Sequence, residues 1–190
     1  MIETEEAVRR FLGGEEEAFG HIVRRWERRI YNLAWRMVGN REDAQDIVQE
    51  TFLSVFKSIR GLRDPGSFST WVYRITLNHC RARRRSRDPN LSLNDPGFDQ
   101  EGNDRALLSA IPVDNRGDPL ETLDLIQKAL AGLSEDHQSA IVLKEYVGLS
   151  LEELANVMEC PLSTAKSRLY HGLRGVQRNL KRLGIKIAEV

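Results

Sequence analysis

The chain has 190 residues, enough for one medium domain or two small ones with real cores, and too few for a large catalytic scaffold. Its 28 Lys and Arg equal its 28 Asp and Glu, but that zero is a cancellation: residues 1–87 carry 17 basic and 12 acidic side chains, 88–125 carry 2 and 9, and 126–190 carry 9 and 7. Two basic modules around an acidic connector leave a polyanion partner open, whereas two distant cysteines and four scattered histidines argue against a disulfide framework and a metal site.

The N-terminus lacks a signal-peptide apolar region and no apolar run approaches membrane-spanning length, so the expectation is a cytoplasmic protein without membrane insertion. The hydrophobic period is helical. Thr4 is placed to cap a short helix ending at Gly13-Gly14, after which Phe19, Ile22, Val23, Trp26, Ile30, Leu33, Ala34 and Met37 recur at three- and four-residue steps. Asn40 is placed to cap the next helix, with its stripe Ala44, Ile47, Val48, Phe52, Val55, Phe56 and Ile59 stopping at Gly61. The turn RDPGS at 63–67 leads into a fourth segment, STWVYRITLNHCRARRR, with Ser67 or Ser69 as N-cap.

From residue 88 to 117 the period dissolves into Pro, Gly, Asn and Asp, with one apolar island at 107–111. This reads as an acidic, flexible linker. Asp118-Pro119 opens a helix carrying Leu120, Leu123, Ile126, Leu130 and Leu133 on one face, and Ser134 restarts a helix through Ala140, Ile141 and Tyr146 to Gly148. No period-2 run is long enough for a convincing strand. The expected fold is all-α: two small helical domains, 1–87 and 118–190, on a flexible tether at 88–117.

The segment at 149–173 carries the sharpest local signal. Ser150 and Glu153 have capping-box spacing, small Ala155 permits a close helix crossing, and Cys160-Pro161 breaks the helix. Ser163 or Thr164 then caps a second helix that buries Ala165, Leu169, Leu173, Val176 and Leu180. Its opposite face holds Thr164, Lys166, Ser167, Tyr170, His171 and Arg174. This is the layout of a DNA-binding helix-turn-helix, whose second helix reaches base edges near its N-terminus while hydroxyls and cations take phosphates. The bland reading is a helical hairpin with a solvated face.

IVQETF at 47–52 within DAQDIVQETFLSVFKSI, FSTWVYRI at 68–75 and CPLSTAKSRL at 160–169 resemble, in order, the motifs of the extracytoplasmic-function (group IV) sigma factors of the bacterial sigma-70 family. The similarity spans about 15–183 without the linker. The resemblance implies a transcription initiation factor with no reaction of its own and no cofactor. It implies a sigma-2-like domain that binds the clamp helices of the β′ subunit of core RNA polymerase and the minus-10 promoter element. It likewise implies a sigma-4-like domain that binds the β flap and the minus-35 element.

Carried over by motif, polymerase binding falls on Asp43, Asp46, Gln49, Glu50 and Ser54, whose alternative is solvated helix surface. Minus-10 contacts fall on Arg63, Phe68, Trp71, Arg74, Asn78, Arg81 and Arg84, with Arg83 and Arg85 as further phosphate cations, and the turn at 60–68 resembles the loop that captures a flipped base. Trp71 has a second reading as a brace of the bundle. Minus-35 contacts fall on Ser163, Thr164, Lys166, Ser167, Tyr170 and His171, with His171 standing where the family commonly has arginine.

Gly172 and Gly175 interrupt a helix usually richer in helix formers, and fraying of its end is expected. The linker, in the family, threads the polymerase cleft; a plain solubilising tether is the alternative. An anti-sigma factor is implied as a further partner. An autonomous helix-turn-helix regulator explains 149–173 but leaves the arginine-rich segment without a task, and no nucleophile, carboxylate pair or phosphate-binding glycine loop supports an enzyme.

Overall fold

The computed structural model describes residues 3–87 and 119–185, the latter as backbone alone over 119–124. The expected linker, its island at 107–111 and the side chains of Leu120 and Leu123 lie outside the described residues. All regular structure among them is helical, and contacts divide the chain into two compact units, Met1–Arg87 and Asp88–Val190.

The first unit holds α1 (Thr4–Leu12), α2 (Ala18–Val38), α3 (Arg41–Ser58) and α4 (Phe68–Arg87). The apolar stripe of α2 puts Ile22, Trp26, Ile30, Leu33, Ala34 and Met37 in the core, where α2 packs against the other three helices. Each large aliphatic or aromatic residue so buried contributes roughly 1.5–3 kcal/mol. Gly39 ends α2 in the left-handed region at φ 71°, its N–H donating to the Trp35 carbonyl, and Asn40 Oδ1 accepts from the Asp43 N–H at 3.1 Å. Two residues thus close one helix and open the next, which forces α2 and α3 into side-by-side packing.

Two N-termini differ from the sequence expectation. Thr4 is not a cap: Glu3 holds that position without a side-chain bond, and the Thr4 hydroxyl accepts from Trp26 Nε1 at 3.2 Å. The indole is 3 % exposed, and a buried N–H without an acceptor costs more than an uncapped helix end that water can reach. Ser67 directly precedes α4, but its hydroxyl donates to the Asp64 carbonyl; Asp64 itself caps a 3-10 turn, Pro65–Ser67, by accepting from the Gly66 N–H at 3.0 Å.

The second unit holds α5 (Pro119–Ala131), α6 (Glu135–Ile141), α7 (Leu151–Val157) and α8 (Leu162–Arg182). Ser134 caps α6 as expected. The helix then widens into a π turn, Val142–Tyr146, before Gly148 at φ 85° reverses the chain. Ser150 and Glu153 form the expected reciprocal capping box, at 3.1 and 2.8 Å. The break after α7 runs through Glu159, left-handed at φ 53°, to Pro161.

Pro161 is the N-cap of α8, with no side-chain bond, so neither Ser163 nor Thr164 caps it. A proline at that point has its φ preset and lacks an N–H, and both hydroxyls fall inside the first turn. The helix whose end was expected to fray runs unbroken through Gly172 and Gly175 to Arg182. A Cβ on Gly172 would stand 2.9 Å from the His137 carbonyl and from Ile141 Cδ1, and one on Gly175 would run into Leu133 Cδ2. The glycines let α8 lie directly on α6 and on Leu133. Packing outweighs their low helix propensity.

Candidate nucleic-acid interface

On α8 the buried face is Ala165, Leu169, Leu173 and Val176, at four- and three-residue steps, which turns the polar side chains between them outward. Ser163, Lys166 and Ser167 are exposed, and Thr164, Tyr170 and His171 are half-buried beside them. The six residues assigned to the minus-35 element therefore share one accessible surface that starts at the helix N-terminus. His171 stacks on His137 of α6, ring centres 5.9 Å apart at 26°. Arg168, which the motif reading passed over, pairs with Asp136 of α6 at 2.5 Å and ties α8 to α6.

On α4 the buried stripe is Phe68, Val72, Tyr73, Thr76, Leu77 and Cys80. Trp71, Arg74, Asn78 and Arg81 follow one another at three- and four-residue steps along another face. Asn78 is exposed and the other three are half-buried; Arg63 is exposed in the preceding turn and Arg84 half-buried on the last turns. Phe68 is corrected: it is 1 % exposed, edge-on to Trp26 at 5.5 Å, and belongs to the core. Trp71 leans on it, ring centres 5.9 Å apart, while keeping part of its surface accessible.

The acidic face of α3 is where sequence and structure part most. Gln49, Asp46 and Glu50 are exposed, and Ser54 is half-buried with its hydroxyl 3.0 Å from His79 Nε2. Asp43 is corrected from surface to interior: it is 5 % exposed, with Oδ1 accepting from Arg83 Nη1 at 3.1 Å and Oδ2 lying 2.6 Å from Arg87 Nη1. Arg83 also donates to Asp46 and Glu50, at 3.2 and 3.1 Å, so it faces α3, where the sequence expectation placed it among the phosphate cations. Burial works against the charge on Arg83. The hydrogen bond to Asp46 and the fields of Glu50 and Asp43 outweigh it and raise the guanidinium above its usual range.

A signal for this network was present in the sequence. Asp43, Asp46 and Glu50 are spaced to share a face of α3, as are His79, Arg83 and Arg87 on α4, but pairing the two stripes requires knowing that the helices pack antiparallel. Among the described residues no group of three or more His, Cys, Asp or Glu is arranged to hold a metal ion, and no helix is long and apolar enough to cross a membrane.

Two family models match: sigma-70 region 2 over residues 22–89 and sigma-70 region 4 over residues 123–174. The chain is 33% identical over 175 residues to the ECF RNA polymerase sigma factor SigW of Bacillus subtilis, covering 90% of this chain and 92% of that one. It is 30% identical over 194 residues to the RNA polymerase sigma-H factor of Pseudomonas aeruginosa, covering 95% of each. Among solved structures, CnrH in complex with the cytosolic domain of CnrY has a TM-score of 0.69 at 22% identity, covering 94% of this chain and 97% of that one. The sigma factor RpoE of Bartonella quintana, solved with the anti-sigma factor NepR, has a TM-score of 0.64 at 23% identity over 86% of this chain and 96% of its own. Those likenesses show the fold. With matched regions in order and relatives aligned over nearly their whole length, the chain belongs to the ECF RNA polymerase sigma factors of the sigma-70 family.

Proposed function

We propose that the chain binds core RNA polymerase and directs it to promoters, the unit ending at residue 87 engaging the minus-10 element and the unit containing α8 engaging the minus-35 element. The observation that carries this reading is the outer face of α8. Hydroxyls and a lysine stand accessible at the N-terminus of a helix whose inner face is anchored on a capped scaffold helix, within a chain of this family. A helix so held can enter a major groove without repacking its own core.

On α4, Asn78 would meet base edges and Arg63, Arg74, Arg81 and Arg84 the phosphates, with the accessible side of Trp71 offering a stacking surface. On α3, Gln49, Asp46, Glu50 and Ser54 would meet the β′ clamp helices; Asp43 would support that face from below. The polymerase performs the chemistry, and this subunit supplies sequence choice and strand opening in the cytoplasm. An anti-sigma factor is proposed as the regulator, in keeping with the complex in which RpoE of Bartonella quintana was solved.

The test is a promoter DNA shift with and without core polymerase. A stable, sequence-specific complex only in the presence of core is expected. A specific shift by the purified chain alone would favour an autonomous regulator.

A further inference from the structure

The turn that leads into α4 is linked to α1, a helix that precedes residue 22, where the region 2 match begins. The link runs through side chains. Thr4 Oγ1 accepts from Trp26 Nε1 at 3.2 Å; the Trp26 ring stands edge-on to Phe68 and Tyr73, at 5.5 and 5.3 Å; and Phe68 is the first residue of α4. Arg29 lies over the Trp26 ring at 5.2 Å, so the indole is held by its N–H, its ring contacts and a cation.

The turn packs on α1 beside a cleft that opens to the surface. A cavity of about 590 Å³ lies between them, lined by Glu5, Trp26, Pro65, Gly66 and Phe68 among others. Across it the Glu5 carboxylate lies 3.6 Å from where a Cβ on Gly66 would stand. The position of Phe68, and with it the aim of the turn and of Trp71 beside it, depends on how firmly Trp26 is fixed.

We infer that Thr4 is a positioning residue for strand opening: its hydroxyl fixes Trp26, Trp26 fixes Phe68, and Phe68 sets the turn against which an unstacked minus-10 base is held. The inference rests on the function proposed above. A turn held in place before DNA arrives loses less conformational freedom on capturing a base than one that must be ordered at that moment.

The experiment uses the full chain with core polymerase and a promoter carrying 2-aminopurine in the minus-10 element, in duplex form and as a pre-opened bubble. Thr4→Val removes the acceptor at constant shape, and is expected to lower duplex opening about 3- to 10-fold, the range set by one net hydrogen bond. Its affinity for core and its occupancy of the bubble are expected to match the wild type. Thr4→Ser, which keeps the hydroxyl, is expected to open the duplex normally. Trp26→Phe is expected to reproduce the defect, with the double variant no worse than either single one.

Opening by Thr4→Val at the wild-type level would overturn the inference, as would an equal loss on the bubble or in affinity for core, which would mark a general structural defect. Failure of the wild type itself to open the duplex would remove the proposed function, a result distinguishable from all of these.

Discussion

Arg83 Nη1 on α4 donates to Asp43 Oδ1 on α3 at 3.1 Å, and this contact joins the helix assigned to promoter DNA to the helix assigned to polymerase. Asp43 is almost fully buried, while Asp46 and Glu50 share the same guanidinium from the surface side. Removing Arg83 therefore uncovers one buried carboxylate and leaves two exposed ones nearly unaffected.

Arg83→Ala is expected to destabilise the first unit by about 1–3 kcal/mol in urea unfolding. The figure lies below the full cost of breaking a buried pair because Arg87 remains beside Asp43 and part of the network is screened by solvent. Asp46→Ala, which removes an exposed partner, is expected to change stability by under about 1 kcal/mol.

Gly172→Ala and Gly175→Ala raise helix propensity by up to about 1 kcal/mol each, and both are nevertheless expected to destabilise the second unit. The Gly172 variant is expected to cost more. Its Cβ meets a backbone carbonyl that cannot turn away, whereas the Gly175 Cβ meets the end of the Leu133 side chain. Thermal unfolding of the two variants side by side checks the order; a stabilised Gly172→Ala would contradict the close packing of α8 on α6.

Glu15 accepts from both Arg10 Nε and Nη2, and that hydrogen bonding holds its carboxyl below the usual glutamate range against the opposing effect of desolvation. A depressed folded-state value contributes stability above the unfolded pKa and loses it as pH falls through the folded one. Nuclear magnetic resonance titration of the Glu15 carboxyl is expected to show a low midpoint that returns to the ordinary range in Arg10→Gln. An unchanged midpoint in that variant would remove the assigned cause.

Lys166 stands exposed on the outer face of α8. If it takes a phosphate, Lys166→Ala weakens the holoenzyme on all promoters alike and reduces the slope of log affinity against log salt by about 0.9. A change confined to particular base pairs would assign it to base readout instead.

The helices were legible from hydrophobic period and punctuation. Gly39 and Asn40, and the pair Ser150 and Glu153, are local devices whose geometry depends on a few neighbouring residues, and they stand as the sequence implied. What could not be read locally is where a polar side chain finds its partner in another helix. Thr4 has cap chemistry, but a buried indole 22 residues away takes its hydroxyl. Asp43 lies in an acidic stripe that looks like surface until α4 covers it, and Gly172 looks like a defect until α6 is placed beneath it. The outer face of α8 was legible because exposure there is simply the complement of an apolar stripe.

By this reading, the chain gives promoter choice to a polymerase that lacks it. Run-off transcription by core enzyme on a library of promoter sequences, with and without the purified chain, tests it most directly. Defined start sites downstream of a shared pair of minus-35 and minus-10 sequences, appearing only with the chain present, are the predicted result. Unchanged, non-specific initiation on every template would contradict the account.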